Sequence, residues 1–155
     1  MEVGKFTFEF NWPTTMKALW HKYPCPELSF VKDHKVIGIE KDGEDKLIVH
    51  KLMYCSKLKF MKTLTVEELH FDFKKQTMVA RTKFLKASGF WAQDAIEVMT
   101  YKKDEEKDCV LCSKVVHGAQ GMKNMFSKVF STFKQGCEVV ERNAKGLVEK
   151  ASMKQ

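Results

Sequence analysis

Proline is scarce. The 155 residues hold three, Pro13, Pro24 and Pro26, and none follows residue 26. Long strands and a long helix can therefore run unbroken over the rest of the chain. There is no run of about 18 apolar residues, which excludes a membrane-spanning helix. The opening residues, Met1-Glu2-Val3-Gly4-Lys5, lack a basic segment followed by an apolar one, and no Arg- and Ser-rich stretch follows. Neither a secretory leader nor a transit peptide is expected. GxSxG, a P-loop, a dinucleotide fingerprint and HExxH are all missing, so no cofactor is expected. His21, His34, His50, His70 and His117 are dispersed at no ligand spacing, so no metal is expected either.

Cysteine is present but poorly arranged for chemistry. Cys25, Cys55, Cys109, Cys112 and Cys137 are odd in number, which argues against a disulfide framework. Cys109 and Cys112 form a CxxC, yet they lie in an alternating, strand-like run where positions i and i+3 face opposite sides. A redox CxxC needs a helix N-terminus to lower its thiol pKa, so these are read as structural thiols.

Charge is abundant: 27 Lys+Arg against 20 Asp+Glu, net +7. Residues 118–155 carry seven basic and three acidic side chains, and Lys57, Lys59 and Lys62 stand together without an acid among them. An anionic partner is implied. Nucleic acid is not expected, because the aromatics fall on core-periodic positions. Between the lysines of 57–62 sit Leu58, Phe60 and Met61. A basic segment with apolar anchors suits the surface of an anionic bilayer.

Periodicity sets the architecture. Phe6, Phe8 and Phe10 alternate with polar residues as in a half-buried strand. Trp12-Pro13-Thr14-Thr15 opens a short helix over Thr15 to about Tyr23, with a Thr as its cap. Strands are predicted over Val36–Ile39, Lys46–Tyr54, Val66–Phe73, Gln76–Lys86, Phe90–Tyr101 and Asp108–Val116, with Asp42-Gly43 a turn. From about residue 120 to 152 the period changes to three and four, through Met122, Met125, Phe126, Val129, Phe130, Phe133, Cys137, Val140, Ala144, Leu147 and Ala151. Such a helix spans about 45 Å, across the whole of a domain of this size. The chain is expected to be one α+β domain over residues 1–155. In it a curved antiparallel sheet of about seven strands grips one long C-terminal helix. A cavity with Phe, Met and Leu walls between sheet and helix would suit an apolar ligand; a filled core is the alternative. His70 and Asp72 share a strand face and are the candidates for an acid–base pair.

Trp20-His21-Lys22-Tyr23-Pro24-Cys25-Pro26 resembles the Arg/Lys-Tyr-Pro-Asn-Pro signature of the PRELI/Slowmo family of lipid-transfer proteins. Lys51-Leu52-Met53 stands where that family has Arg-Leu-Leu, Gln76-Thr77-Met78 where it has Lys/Gln-Thr-Met, and Tyr101 ends a strand as a family Tyr does. The resemblance implies a helix-grip fold and non-enzymatic extraction of an anionic phospholipid of the phosphatidic acid or phosphatidylserine class. It implies shuttling between membranes in the mitochondrial intermembrane space, with a small helical twin-CX9C protein as partner. It also implies that Lys22 holds the headgroup phosphate. Cys25 replaces the family Asn, and the segment 55–63 is about ten residues shorter than the family's lid.

The expected mechanism places the phosphate on Lys22, aided by Lys57 and Lys59, with acyl chains in the cavity. Leu58, Phe60 and Met61 then touch the bilayer. The alternatives are a lid-less adaptor that binds a protein without moving lipid, and a helix-grip enzyme on a small apolar substrate.

Overall fold

The computed structural model describes residues 1–58, 61–87, 95–118 and 126–154. Seven strands form one antiparallel sheet: β1 (Glu2–Phe8), β2 (Val31–Lys41), β3 (Lys46–Leu58), β4 (Met61–Asp72), β5 (Thr77–Ala87), β6 (Ile96–Lys103) and β7 (Val110–His117). Their spatial order is β1-β7-β6-β5-β4-β3-β2. Every strand from β2 to β7 lies beside its sequence neighbour, and β1 closes the far edge against β7. Among the described residues there are two α-helices: α1 (Trp12–Trp20), followed by a 3-10 turn at Pro26–Leu28, and α2 (Phe126–Met153).

The start of α1 differs from the expectation. Asn11 is the cap: its side-chain oxygen accepts the Thr14 N–H at 2.9 Å, satisfying an otherwise orphaned donor. Pro13 then falls where a missing N–H costs nothing. Thr15, expected at the cap, is instead buried inside the helix with its hydroxyl on the Asn11 carbonyl at 2.9 Å. Past Trp20 the chain turns through Lys22 and Tyr23, and the Tyr23–Pro24 peptide is cis. Between β2 and β3, Gly43 supplies a φ of +81°, which any side chain would strain.

The hairpin β3–β4 is longer than its period suggested. The two strands stay paired from Lys46↔Asp72 to Leu58↔Met61. The segment read as a lid replacement is thus mostly ladder. Expected residues Lys59 and Phe60 lie outside the described residues, as do Met122 and Met125; the side chains of Lys57, Leu58 and Met61 are likewise not described.

The core lies between the sheet and one face of α2. Phe8, Met78, Val110, Val140 and Ala144 are fully covered, with Trp12, Tyr101, Phe133 and Cys137 nearly so. Each aliphatic or aromatic side chain buried here contributes about 1.5–3 kcal/mol. Phe133 packs flat against Gly4 of β1, where an added methyl would come within 3.0 Å of its ring. No described helix is long and apolar enough to cross a membrane.

Candidate functional site inside the grip

Alternation along a strand sends every second side chain to the concave face. On β3 that face carries Val49, Lys51 and Met53; on β7 it carries Val110, Cys112, Lys114 and Val116, all buried. Lysine at two of these positions is unexpected, because Lys is almost never fully buried without a partner. The register explains it. Lys51 faces Glu67 of β4, Glu67 faces Thr82 of β5, and Thr82 faces Glu97 of β6. At the end of this row the Lys114 ammonium donates to the Glu97 carboxylate at 2.9 Å. The concave face therefore carries a belt of charge across five strands. The Phe, Met and Leu walls expected from sequence are interrupted here, since the strand period fixes which residues face in, whatever their polarity.

Two further groups reach the belt from outside the sheet. The Lys22 ammonium lies against the backbone of α2 at Gly136; a methyl on that glycine would stand 2.8 Å from it. It also sits 5.3 Å above the Tyr23 ring. The Lys51 ammonium lies 4.2 Å over the Trp20 ring, a cation–π contact that partly replaces lost hydration. The turn holding Lys22 is fastened to α2 on both sides: Arg142 pairs with Glu27, and Asn143 donates to the His21 carbonyl at 3.4 Å. Gly136, which as a mid-helix glycine costs about 1 kcal/mol relative to Ala, makes room for the cation. Gly136→Ala is thus expected to displace Lys22 and weaken binding of a phosphate-bearing ligand several-fold, without loss of thermal stability. Parallel calorimetry of melting and of ligand binding checks this.

Burial tunes the belt. It pushes the Glu67 carboxyl up, against the pull of Lys51 and Lys22. It pushes the Lys51 ammonium down, against Glu67. It also drives the Tyr23 phenol far up, with Glu67 adding to the shift. Yet Glu67 and Tyr23 keep part of their surface uncovered. Below the belt, Tyr101 stacks on Phe8 at 6.3 Å between centroids and donates to the Met99 sulfur at 3.8 Å. Beside it Cys112 and Cys137 lie against each other as buried thiols, and the contact with Cys137 together with burial raises the Cys112 thiol. None of the five cysteines is in a disulfide. The partner of Cys112 is on α2 and is not its CxxC neighbour Cys109.

Of the sequence-predicted residues, the structure brings Lys22 into the interior. His70 and Asp72 are on the opposite face of β4 from Glu67. His70 contacts Glu68 at 3.3 Å, and Asp72 accepts the Lys75 N–H at 2.9 Å. They are corrected as an interior acid–base pair, because alternation sends them outward. Lys51, Glu67, Glu97 and Lys114 were missed. The signal that finds them is a charge at an apolar phase, as in Val49-Lys51-Met53 and Cys112-Lys114-Val116. Among the described residues no group of three His, Cys, Asp or Glu side chains could hold a metal ion.

No protein-family model matches the chain, and no curated protein does. Solved structures do match. The protein TTHA0849 from Thermus thermophilus superposes with a TM-score of 0.59 at 11% identity, over 93% of this chain and 96% of its own. Ara h 8.0201 gives 0.60 at 12%, over 94% and 97%. The Zhui aromatase/cyclase from a Streptomyces species gives 0.53 at 7%, over 97% and 93%. Likeness at such identity shows the fold alone. It is the helix-grip fold, here with a charged belt across its interior.

Proposed function

We propose that this helix-grip protein binds an anionic phospholipid head-inward and carries it between membranes without catalysing a reaction. One observation carries the reading: two lysines, Lys22 and Lys51, project into the interior and are held there by aromatic rings and the Gly136 notch rather than by closed ion pairs. Two such cations suit a phosphate. The inward residues Met53, Phe84, Ala95 and Val116, and Val129 of α2, supply apolar or half-apolar walls for acyl chains on the side of the belt nearer the β3–β4 tip. Lys57 and Lys59 would add charge at that tip, and Leu58, Phe60 and Met61 would dip into the bilayer.

The Lys22-Tyr23-Pro24-Cys25-Pro26 resemblance to PRELI/Slowmo proteins supports the same reading. With it come, as parts of the proposal, residence in the mitochondrial intermembrane space, one domain over 1–155 and a small twin-CX9C partner. The test is transfer of fluorescent phosphatidic acid or phosphatidylserine between vesicles. Transfer above the protein-free rate is expected, with phospholipid co-purifying. No transfer and no bound lipid would sink it.

A second reading is a helix-grip enzyme. Lys51 and Glu67 are a buried amine and carboxyl whose pKa values are shifted toward one another, the pattern of an acid–base pair. One of the similar structures is named an aromatase/cyclase. Mass spectrometry of bound material separates the two, since a polar metabolite in place of phospholipid favours the enzyme. No observation favours the adaptor.

A further inference from the structure

The belt holds two carboxylates, and only one is committed. Glu97 is closed by Lys114 at 2.9 Å. Glu67 has no ion pair within 4.0 Å among the described residues and stands in register opposite Lys51. Charged and titratable groups face it from several elements: Lys51 on β3, Glu97 on β6, Lys114 on β7, and Lys22 and Tyr23 from the turn after α1. Tyr101 of β6, whose phenol Glu67 also raises, faces it too, and Gly136, the α2 residue against Lys22, brings no charge.

A phosphate seated between Lys22 and Lys51 adds negative charge beside Glu67 at low local dielectric, where like charges repel strongly. The backbone of Glu67 is paired on both sides, to Lys51 and to Thr82, which holds its Cα in the belt. The repulsion is relieved by protonation. We propose that the grip takes up a phosphate-bearing anion together with one proton from solvent, which lodges on Glu67, so that acid loads the site and alkali empties it.

The sign follows from linkage. Burial already raises the Glu67 carboxyl. Below the ordinary carboxylate range the group is protonated with or without ligand, and binding is insensitive to pH. As pH rises from the raised value of the free protein toward the still higher bound-state value, ionisation of the free protein opposes binding, by about tenfold per pH unit when one whole proton is taken up.

The inference rests on the phosphate-ligand reading, and its test separates the two. Titration calorimetry is run with dihexanoyl-phosphatidylglycerol, whose phosphodiester does not titrate near neutrality, in buffers of different ionisation enthalpy. Its deacylated head, glycerophosphoglycerol, forms a second arm. Heats that vary with buffer, showing proton uptake, are expected, with affinity falling as pH rises. Glu67→Gln should bind at least as tightly as the wild type, with no proton uptake and a flat pH profile. Binding by the lipid alone names the lipid as ligand, whereas equal binding by the free head names a soluble phosphodiester. Lipid binding with no proton uptake, or a pH dependence that survives Glu67→Gln, overturns the inference and leaves the lipid reading standing. No binding of this lipid, of its head or of dihexanoyl-phosphatidylserine at any pH overturns both. The wild-type buffer series decides the matter even if the variant does not fold.

Discussion

Lys22→Ala is expected to cut affinity for anionic phospholipid by about 10–100-fold, and to leave binding to neutral phosphatidylcholine vesicles nearly unchanged. A hydrogen bond to a charged group contributes about 1.5–3 kcal/mol, and each 1.4 kcal/mol is a factor of ten. Lys22 should exceed Lys51 in effect. Lys51 already faces Glu67 across the β3–β4 register, so part of its charge is countered before a ligand arrives. Lys22 lies against the Tyr23 ring, at 5.3 Å, and the α2 backbone, and feels Glu67 less than Lys51 does. Vesicle co-sedimentation with phosphatidic acid and with phosphatidylcholine measures both effects. Equal losses on the two lipids would show that Lys22 serves packing and not charge recognition.

The second large effect is on stability. Lys114→Ala removes the partner of Glu97, whose side chain is 25% exposed, from a lysine whose own side chain is 9% exposed. A buried ion pair broken on one side costs about 3–5 kcal/mol, because the remaining charge stays desolvated. In a chain of this size each 1 kcal/mol moves Tm by about 2–4 °C, so a fall of about 6–20 °C is expected by calorimetry. The double variant Lys114→Met with Glu97→Gln should recover most of it, since neutral residues of similar volume leave no stranded charge. A single variant as stable as the wild type would mean that Glu97 reaches water by another route.

The sheet and its helix were legible because their periods are clean. Phe6 and Phe8 alternate, Asp42-Gly43 marks a turn, and the α2 stripe returns every third or fourth residue through Phe133, Cys137, Val140 and Ala144. The β3–β4 hairpin was harder. Lysines interleaved with Leu58, Phe60 and Met61 carry a surface signature, and that composition hid the continuing ladder. The belt was harder still. Amphipathic patterning assumes that the inward phase is apolar, so a Lys between Val49 and Met53, or a Glu between Thr65 and Leu69, reads as a lapse in the pattern. The structure shows these lapses in adjacent strands lining up. Their meaning lies in the pairing register, which joins positions 51, 67, 82 and 97 and is invisible along one dimension.

The place of β1 bears on how the molecule is made. It comes before the other six strands along the chain, yet it pairs with β7, the last of them: Phe8 meets Val110 and Phe6 meets Cys112. On the ribosome, residues 2–8 have no edge to join until more than a hundred further residues have emerged. The hairpins from β2 onward can zip locally in the meantime, since closing a short loop carries a small entropic cost. Completion of the sheet and docking of α2 onto Gly4 and Phe8 are therefore events of late translation. A nascent chain stalled before residue 110 would expose Phe6, Phe8 and Trp12 together, as a ready target for chaperones.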